Sequence, residues 1–269
     1  MKILPSILGA IGNTPVVELR KITEGLSGRI LLKLEYLNPG HSKKDRAALK
    51  IIESAEKTGE LKPGQTVLEL TSGNMGTGLA IVCAQKGYSF VAVMSRGNSS
   101  KRIAMMRALG AKVILVNQSQ NSVHGKVSGE DLRLVELEAQ RLTKKIGAFR
   151  ADQFEHEGNR NSHYTGTAEE FWRQSEGLIT AFCDFVGSGG TYSGCSMYFK
   201  EKKSSIKCFV VEPEGASILS GKHNENVAHA IQGGGYSMSE LSQMYSLEPD
   251  GYIEISDNEA IDMARKLAC

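Results

Sequence analysis

The sequence predicts an α/β protein of two lobes, each a mostly parallel twisted sheet flanked by helices. Short apolar, β-rich runs alternate with longer amphipathic stretches, which is typical of parallel sheets with helices on both faces. Two of the strand-like runs lead into glycine-rich turns that open helices, at 71–76 and 187–191. The chain has 269 residues, 41% of them apolar, which suffices for one large domain or two closely packed lobes with a sizeable core.

The first strand–helix series predicts a smaller, mobile lobe over residues 39–147. Its strands are short apolar runs and its helices are longer amphipathic stretches, as the periodicity of each element requires. In chain order there are, after a strand at 30–34, a helix at 45–58, a strand at 67–70, a helix at 78–86, a strand at 90–94, a helix at 100–109, a strand at 112–116 and a helix at 131–145. The polar stretch 117–130 is interpreted as a mobile loop.

The second series predicts a larger lobe, formed by residues 1–38 together with 148–269. It comprises a helix at 169–176, a strand at 181–186, a helix at 193–202, a strand at 207–212 and a helix at 257–267. A closing strand and helix are expected to follow this last helix. We therefore expect the C-terminal end of the larger lobe to be truncated.

Charge and composition argue against several classes of function. The net charge is only +2, which predicts no nucleic-acid partner. No stretch reaches the roughly 20 apolar residues of a membrane span, and residues 1–8 lack the features of a signal peptide. We therefore expect a cytoplasmic protein that binds no membrane. The five cysteines form no CxxC pair and the histidines no HExxH pair, so neither a disulfide framework nor a metal site is predicted.

The segment 38–46, Asn-Pro-Gly-His-Ser-Lys-Lys-Asp-Arg, combines a tight turn with a predicted helix start. Ser42 is of the residue type that caps helices. A lysine at this place is electrostatically unusual, because the positive end of the helix dipole favours anions there. Most such lysines are simply solvated, so Lys43 or Lys44 alone indicates no function.

The two glycine-rich turns have the composition of anion-binding loops. Each follows a strand and precedes a helix, and small residues there leave backbone N–H groups free to surround an anion. Neither turn has the GxGxxG spacing of a dinucleotide site or the GxxxxGK[ST] pattern of a nucleoside triphosphate site. Taken alone, either loop is weak evidence for a binding site, and a tight structural turn is the favoured interpretation.

Considered together, these segments resemble the cysteine synthase and cystathionine β-synthase family of pyridoxal-phosphate (PLP) enzymes, which have the tryptophan-synthase-β-like fold, PLP fold type II. The resemblance runs nearly end to end. The matching segments are 11–15 (Ile-Gly-Asn-Thr-Pro), 33–39, 42–46, 71–74 (Thr-Ser-Gly-Asn), 107–111, 153–154, 163–164, 187–191 (Gly-Ser-Gly-Gly-Thr), 211–213 and 231–233. The resemblance implies a cofactor in the cleft between the two lobes.

Residue by residue, the resemblance implies that Lys44 forms the Schiff base with PLP and later acts as the base that removes the substrate α-proton. Lys43 is the rival, but only Lys44 directly precedes Asp-Arg. Asn74 matches the residue that bonds the hydroxyl oxygen of the cofactor ring. The phosphate loop is matched by Gly187, Ser188, Gly189, Gly190 and Thr191.

Substrate contacts are implied in two places. Thr71, Ser72 and Gln153 match the positions that bind the substrate α-carboxylate, and the loop that also contains Gly73 and Met75 would close over the substrate. The segment that contains Gly233 and Tyr236 matches the region near the β-substituent, and both Gln232 and Tyr236 are candidate specificity determinants.

The reaction implied by the resemblance is β-replacement through an α-aminoacrylate, with sulfide or another thiol as nucleophile. Cysteine synthesis from O-acetylserine and sulfide is the leading form. The implied partners are a small amino acid and the sulfide or thiol nucleophile, and family members are usually homodimers.

Several positions depart from the family pattern. Met75 stands where cysteine synthases usually have threonine, and it either changes the pocket or is a neutral core exchange. Ser188 replaces a threonine but keeps the hydroxyl. The segment 233–236 departs from the usual Gly-Ala-Gly-Phe. The serine that partners the pyridine nitrogen in the family would lie beyond residue 269, so an impaired PLP-fold protein is a further possibility.

Other reactions remain open on the sequence. The same half-reaction on cysteine would release hydrogen sulfide and give serine or a thioether, and Met75 and the 233–236 segment keep this alternative open. Serine dehydratases and racemases share the fold but usually have Ser-Phe-Lys around the lysine. A non-catalytic scaffold is disfavoured, because it has no need of Lys44, Asn74 and the phosphate loop.

Overall fold

The computed structural model describes residues 3–71, 73–122, 127–222, 229–236 and 238–268. The predicted mobile loop 117–130 lies partly outside these residues. The described residues contain no helix that is long and apolar enough to cross a membrane. Within them, the cysteines Cys83, Cys183, Cys195 and Cys208 are free thiols.

The chain divides into two compact units with interleaved boundaries. Unit 1 comprises Met1–Gly12 and Glu35–Gly158, and unit 2 comprises Asn13–Leu34 and Asn159–Cys269. The sequence predicted a boundary after residue 147, but the structure keeps 148–158 in unit 1. The reason is strand pairing, since residues 149–150 extend the sheet of that unit by pairing with 67–68.

Unit 1 contains one parallel sheet of four strands. The strands are β3 (Val67–Leu70), β4 (Phe90–Ser95), β5 (Lys112–Val116) and β6 (Phe149–Arg150), in the order β5-β4-β3-β6. The helices are α1 (Lys44–Thr58), α2 (Asn74–Lys86), α3 (Ser100–Ala108) and α4 (Gly129–Ile146). Every residue of the central strand β4 is buried, as expected where helices cover both faces of a parallel sheet.

The main core of unit 1 lies where α1 and α2 pack together. Gly78 permits the close approach, because a Cβ atom there would lie 3.1 Å from the Lys44 carbonyl oxygen and 3.2 Å from the Asp45 Cα. Ile51 and Leu79 are fully buried in the same cluster. The packing places the start of α2 against the first turn of α1, and both helix starts belong to the predicted site.

Unit 2 combines an antiparallel pair of strands with a parallel sheet of three. The pair is β1 (Val16–Leu19) and β2 (Ile30–Lys33), and the sheet has the order β7 (Ala181–Phe185), β8 (Lys207–Pro213), β9 (Gly251–Ile255). The helices are α5 (Gly158–Ser162), α6 (Glu169–Gln174), α7 (Gly190–Lys202) and α8 (Asp257–Ala268), with a π-helical segment at His163–Ala168 between α5 and α6. The sequence did not predict β1, β6, β9 or the π-helical segment.

A buried ion pair anchors β2 to α6 within unit 2. The Lys33 ammonium lies 2.8 Å from the Glu170 carboxylate, with side-chain exposures of 3% and 9%. The ammonium also donates to the Thr14 carbonyl oxygen at 2.9 Å and to Gln174 Oε1 at 3.0 Å. The charge is thus fully compensated by protein groups, which is the condition for burying it.

Glu170→Ala is expected to lower the free energy of unfolding by about 3 kcal/mol, because it removes the carboxylate that pairs with the buried Lys33 charge. Chemical denaturation measures this loss. Glu169→Ala is the matched control, since Glu169 is exposed on the same helix, and it should change stability by less than about 0.5 kcal/mol. Equal effects of the two substitutions would contradict a structural role for the pair.

Candidate active site

Lys44 is the first residue of α1, at the end of a turn that side chains build. Ser42 accepts a hydrogen bond from the Lys44 backbone N–H at 3.2 Å, and the Asp45 N–H bonds the Ser42 carbonyl oxygen. The Lys44 side chain is half-buried. The turn therefore holds the Lys44 backbone at a defined place at the start of α1.

Asp45 closes this turn from inside unit 1. Its carboxylate is buried and accepts a hydrogen bond from the Gly40 backbone N–H. Burial raises the pKa of Asp45 to about 6, against the opposing effect of that hydrogen bond. Gly40 must be glycine, because a Cβ atom there would lie only 3.0 Å from the Asp45 Cγ and closer still to Oδ1.

Arg46 ties the first turn of α1 to the segment before it. Its Nε and Nη2 atoms each donate to the Glu35 carboxylate at 2.8 Å, which is the bidentate geometry of strong Arg–carboxylate pairs. Asn38 donates to the same carboxylate at 3.0 Å and accepts from the Gly12 N–H at 2.8 Å. In the motif Lys-Asp-Arg, the half-buried Lys44 is thus followed by two buried residues, Asp45 and Arg46, that hold the start of α1 in place.

The second predicted segment, 71–75, forms the start of α2. Thr71 is buried, and its hydroxyl oxygen accepts the Gly76 N–H at 2.9 Å and the Gly73 N–H at 3.4 Å. Asn74, predicted to contact the cofactor, is exposed at the first position of the helix. Ser72, predicted to bind the substrate carboxylate, lies outside the described residues.

Arg102 of α3 lies over this loop, although the sequence did not indicate it. A Cβ atom at Gly73 would be 3.3 Å from the Arg102 Nη1 atom, so the guanidinium lies next to Gly73. A cation therefore lies beside the segment that is predicted to receive a carboxylate. Its position depends on tertiary packing, and no local sequence pattern points to it.

Met75 points into the core of unit 1. Only 2% of the residue is exposed, and it belongs to the hydrophobic cluster of α1 and α2. This placement corresponds to the core exchange that was one of the two interpretations of Met75. A direct contact between Met75 and a substrate stays a prediction.

Gln153, predicted to bind the substrate carboxylate, lies three residues after the end of β6. It is half-buried, and the residue before it, Asp152, has φ +40° in the left-handed region. The buried carboxylate of Glu69 accepts the Asp152 N–H at 2.7 Å. Glu69 was not among the predicted site residues, although an acidic residue inside the apolar run 67–70 was the available signal.

In unit 2, the phosphate-loop candidates 187–191 lie between β7 and α7. All three glycines are sterically required. A Cβ atom at Gly187 would overlap the Gly233 carbonyl oxygen, one at Gly190 would lie 2.5 Å from the Asn159 Cγ, and Gly189 has φ +84°. The chain can therefore bring its backbone N–H groups close to a ligand at the N-terminus of α7.

The two hydroxyl residues of this loop are held by buried polar side chains of the preceding helical region. Asn159 Nδ2 donates to Ser188 Oγ at 2.8 Å, and Thr191 Oγ1 lies 3.3 Å from His163 Nε2. The other His163 ring nitrogen is 2.9 Å from Thr167 Oγ1. The bond from the Asn159 amide therefore fixes the position of the Ser188 hydroxyl oxygen in the loop.

The segment 233–236 lies next to the same loop. The Gly235 N–H donates to the Val186 carbonyl oxygen at 3.3 Å, and the Tyr236 ring is 3.7 Å from the position of a Gly187 Cβ. Tyr236 is 41% exposed. Unit 2 thus brings together the predicted phosphate loop and the predicted specificity segment, as unit 1 brings together Lys44 and the start of α2.

These residues fit a phosphorylated aldehyde better than a metal ion. No group of three or more His, Cys, Asp or Glu side chains suited to a metal occurs in the described ranges. The loop 187–191 offers backbone and hydroxyl donors at a helix N-terminus, which suits a phosphate dianion. Lys44 is a half-buried primary amine, which is the group that condenses with an aldehyde.

Comparison with known proteins agrees with this chemistry. Residues 7–269 match the family described as pyridoxal-phosphate dependent enzyme. Cysteine synthase 3 of Caenorhabditis elegans is 41% identical over 259 residues, covering 96% of this chain and 73% of the relative. The cysteine synthase of Staphylococcus aureus (strain Mu50) is 38% identical over 271 residues, covering 99% of this chain and 82% of the relative.

Among solved structures, a hydrogen sulfide-producing enzyme from Fusobacterium nucleatum superposes with a TM-score of 0.89 at 36% identity, covering 100% of this chain and 84% of that one. The predicted α/β fold with helix-flanked parallel sheets is thereby confirmed.

Proposed function

The chain belongs to the family of pyridoxal-phosphate-dependent enzymes, and from that premise we propose that it replaces the β-substituent of a small amino acid. The leading form of the reaction is cysteine synthesis, in which O-acetylserine and hydrosulfide give cysteine and acetate. The observation that carries this proposal is the loop 187–191, whose glycines leave no room for side chains and whose hydroxyls are oriented by buried groups, in a chain that retains Lys44.

We propose that the cofactor is held by Lys44, Asn74 and the phosphate loop. When bound, PLP supplies an electron sink that stabilises negative charge at the substrate α-carbon. The backbone N–H groups of the loop and the hydroxyls of Ser188 and Thr191 neutralise the phosphate. The helix dipole of α7 adds to this attraction, because its positive end faces the loop.

Lys44 is proposed as the catalytic residue. Once substrate has displaced it from the cofactor, its amine accepts the α-proton. The turn at Ser42 and the buried anchors Asp45 and Arg46 support this role by limiting the motion of the helix start from which the amine extends. A base with a fixed starting point reaches the same α-carbon in every catalytic cycle.

The substrate contacts are proposed by resemblance and supported by the local geometry of each unit. Thr71, Ser72, Gly73 and Gln153 would receive the α-carboxylate, and Gly233 and Tyr236 would lie near the β-substituent. Thr71 keeps its hydroxyl proton for this purpose, since its oxygen already accepts two backbone N–H groups. The substrate-binding role of Met75 is the least supported, because its side chain is in the core.

A second candidate reaction begins from cysteine and releases hydrogen sulfide, leaving water or a second thiol to complete the replacement. The observation that favours it is the structural similarity to the hydrogen sulfide-producing enzyme of Fusobacterium nucleatum. Both reactions use the same residues up to the loss of the β-substituent. They differ in which leaving group and which nucleophile the segment 233–236 accepts.

The deciding experiment gives the PLP-loaded protein each substrate separately. We expect cysteine and acetate to form from O-acetylserine plus sulfide at a rate at least about tenfold above that of sulfide release from cysteine. The opposite ratio would select the second reaction. If neither substrate reacts although PLP is bound, the chain is a catalytically impaired member of its family.

Specificity is expected to depend on the departures at 232–236. Replacing Tyr236 by phenylalanine removes a hydroxyl beside the phosphate loop, and we expect the ratio of the two activities to change by about tenfold or more. Gln232→Ala is the companion variant. If both variants keep the wild-type substrate ratio, the segment does not determine specificity.

We also propose a homodimer in the cytoplasm, on the sequence and family resemblance alone. Light scattering of the purified protein tests the dimer, and fractionation of cells that express the full chain tests the location. A monomeric protein or a membrane-bound fraction would contradict these two proposals.

A further inference from the structure

Glu69 is an acidic residue on an inner strand of the sheet of unit 1. It lies on β3 between Leu68 and Leu70, and only 1% of it is exposed. Burial raises the pKa of Glu69 to about 7, although Arg150 and two backbone N–H groups oppose the shift. A buried carboxyl of this kind is costly unless its oxygens are hydrogen-bonded.

The Glu69 carboxylate accepts hydrogen bonds from the backbone N–H groups that follow the end of β6. β6 pairs with β3 only as far as Arg150, opposite Leu68, and the Ala151 N–H still bonds the Leu68 carbonyl oxygen at 3.1 Å. The next two N–H groups, those of Asp152 and Gln153, turn to the Glu69 carboxylate. The side chain thus replaces the missing strand partner.

The turn that follows has little freedom. Asp152 adopts φ +40°, a conformation that L-residues other than Asn and Asp rarely take. Its carbonyl oxygen accepts the His156 N–H at 2.8 Å, which closes the turn on the other side. The backbone of Gln153 is therefore held by the hydrogen bond from its N–H group to Glu69 and by the constrained conformation of Asp152 before it.

Glu69 also belongs to the strand that leads to Thr71. The start of the predicted carboxylate-binding loop and the backbone of Gln153 are consequently joined through one side chain. We infer that Glu69 is a positioning residue for the amino-acid substrate, which fixes the Gln153 side chain relative to the Thr71 loop so that both reach the same α-carboxylate. This inference rests on the proposed function.

The test measures substrate binding rather than turnover. L-Alanine has the α-carboxylate but no β-leaving group, so it binds without completing the reaction, and calorimetric titration of the PLP-loaded protein gives its Kd. Glu69→Gln keeps the shape but turns an NH₂ group toward one of the two N–H donors. We expect the Kd for L-alanine to rise about tenfold, the size of one charge-assisted hydrogen bond.

A double-mutant cycle distinguishes positioning from general stability. Gln153→Ala is expected to raise the same Kd about tenfold, and adding Glu69→Gln to it should raise the Kd by less than about twofold more, because the positioned side chain is already gone. Fully additive effects, or an unchanged Kd in Glu69→Gln alone, would overturn the inference.

Two further variants serve as a control and as an alternative to Glu69→Gln. Glu136→Gln is the matched control, since its carboxylate bonds Arg150 from the other side at 2.9 and 3.2 Å, and it should leave the Kd within about twofold. If Glu69→Gln does not fold, Glu69→Asp keeps the charge while withdrawing it by one methylene, and the same rise in Kd is expected. A wild-type protein that binds PLP but no L-alanine would refute the proposed function itself.

Discussion

Lys44→Ala is expected to abolish both turnover and the absorption band of the cofactor's Schiff base with the protein. The amine is the group that condenses with PLP in the proposed function, and it is also the proposed base for the α-proton. Loss of a positioned base alone costs about 10²–10⁴-fold in rate, and loss of the covalent link adds to this. An absorption spectrum of the PLP-loaded protein and an assay with O-acetylserine and sulfide measure the two effects.

Lys43→Ala is the control for this experiment. Lys43 is the neighbouring residue, it precedes α1, and it is half-buried like Lys44. We expect it to keep the cofactor band and most of the activity. If instead Lys43→Ala loses the band and Lys44→Ala keeps it, the assignment of the Schiff-base lysine is reversed.

Gly190→Ala is expected to cause the largest loss of cofactor affinity among the loop substitutions. The added methyl group would lie 2.5 Å from the Asn159 Cγ and 2.7 Å from its Nδ2. Asn159 would have to move, and its bond to Ser188 would be lost. Overpacking of this kind costs about 1–3 kcal/mol, which corresponds to about 5- to 150-fold if all of it is lost from the Kd for PLP. Equilibrium titration of the apoprotein with PLP gives that Kd.

Gly28→Ala is the matched substitution in the same unit. A Cβ atom at Gly28 would have no neighbour within 4 Å, so the PLP affinity should not change. An unchanged PLP affinity in Gly190→Ala as well would show that the loop tolerates a side chain and does not bind the phosphate closely.

The sequence predicted the regular elements well where the hydrophobic pattern and the length of a segment indicated the same type of element. The strands 67–70 and 112–116 were predicted at their observed bounds, and the helix 45–58 differs by one residue. The starts of α2 and α7 were placed four and three residues too late. In both cases the first turn is rich in glycine, whose low helix propensity conceals a turn that tertiary contacts stabilise.

The missing elements have a different physical cause. β6 is only two residues long, too short to carry a recognisable pattern, and it exists because β3 supplies its hydrogen bonds. β1 forms in the same way by pairing with β2. The π-helical segment leaves no periodic signal either. Long-range pairing determines these elements, and local sequence does not record it.

The residues of the candidate site also fall into two groups, those that a local motif indicates and those that only the fold brings to the site. The family resemblance predicted Lys44, Asn74 and the loop 187–191 as site residues, because each of them belongs to a motif that is continuous in the sequence. It did not identify Glu69 or Arg102, which act on those motifs across the fold of unit 1. For Met75 the sequence left two interpretations, and burial in the core was visible only in the structure.

The π-helical segment His163–Ala168 gives this region one place where the chain length can change. Such a segment holds more residues per turn than an α-helix, so deleting one residue there, for example Gly166, would let the α-helical ladder close while the helices on either side keep their orientation. A one-residue deletion in the regular turns of α6 has no such slack and would rotate everything before it by about 100° around the helix axis. Asn159 would then turn away from Ser188, although both residues would still be present. Alignments of functional relatives should therefore place one-residue gaps within 163–168 rather than within 169–174.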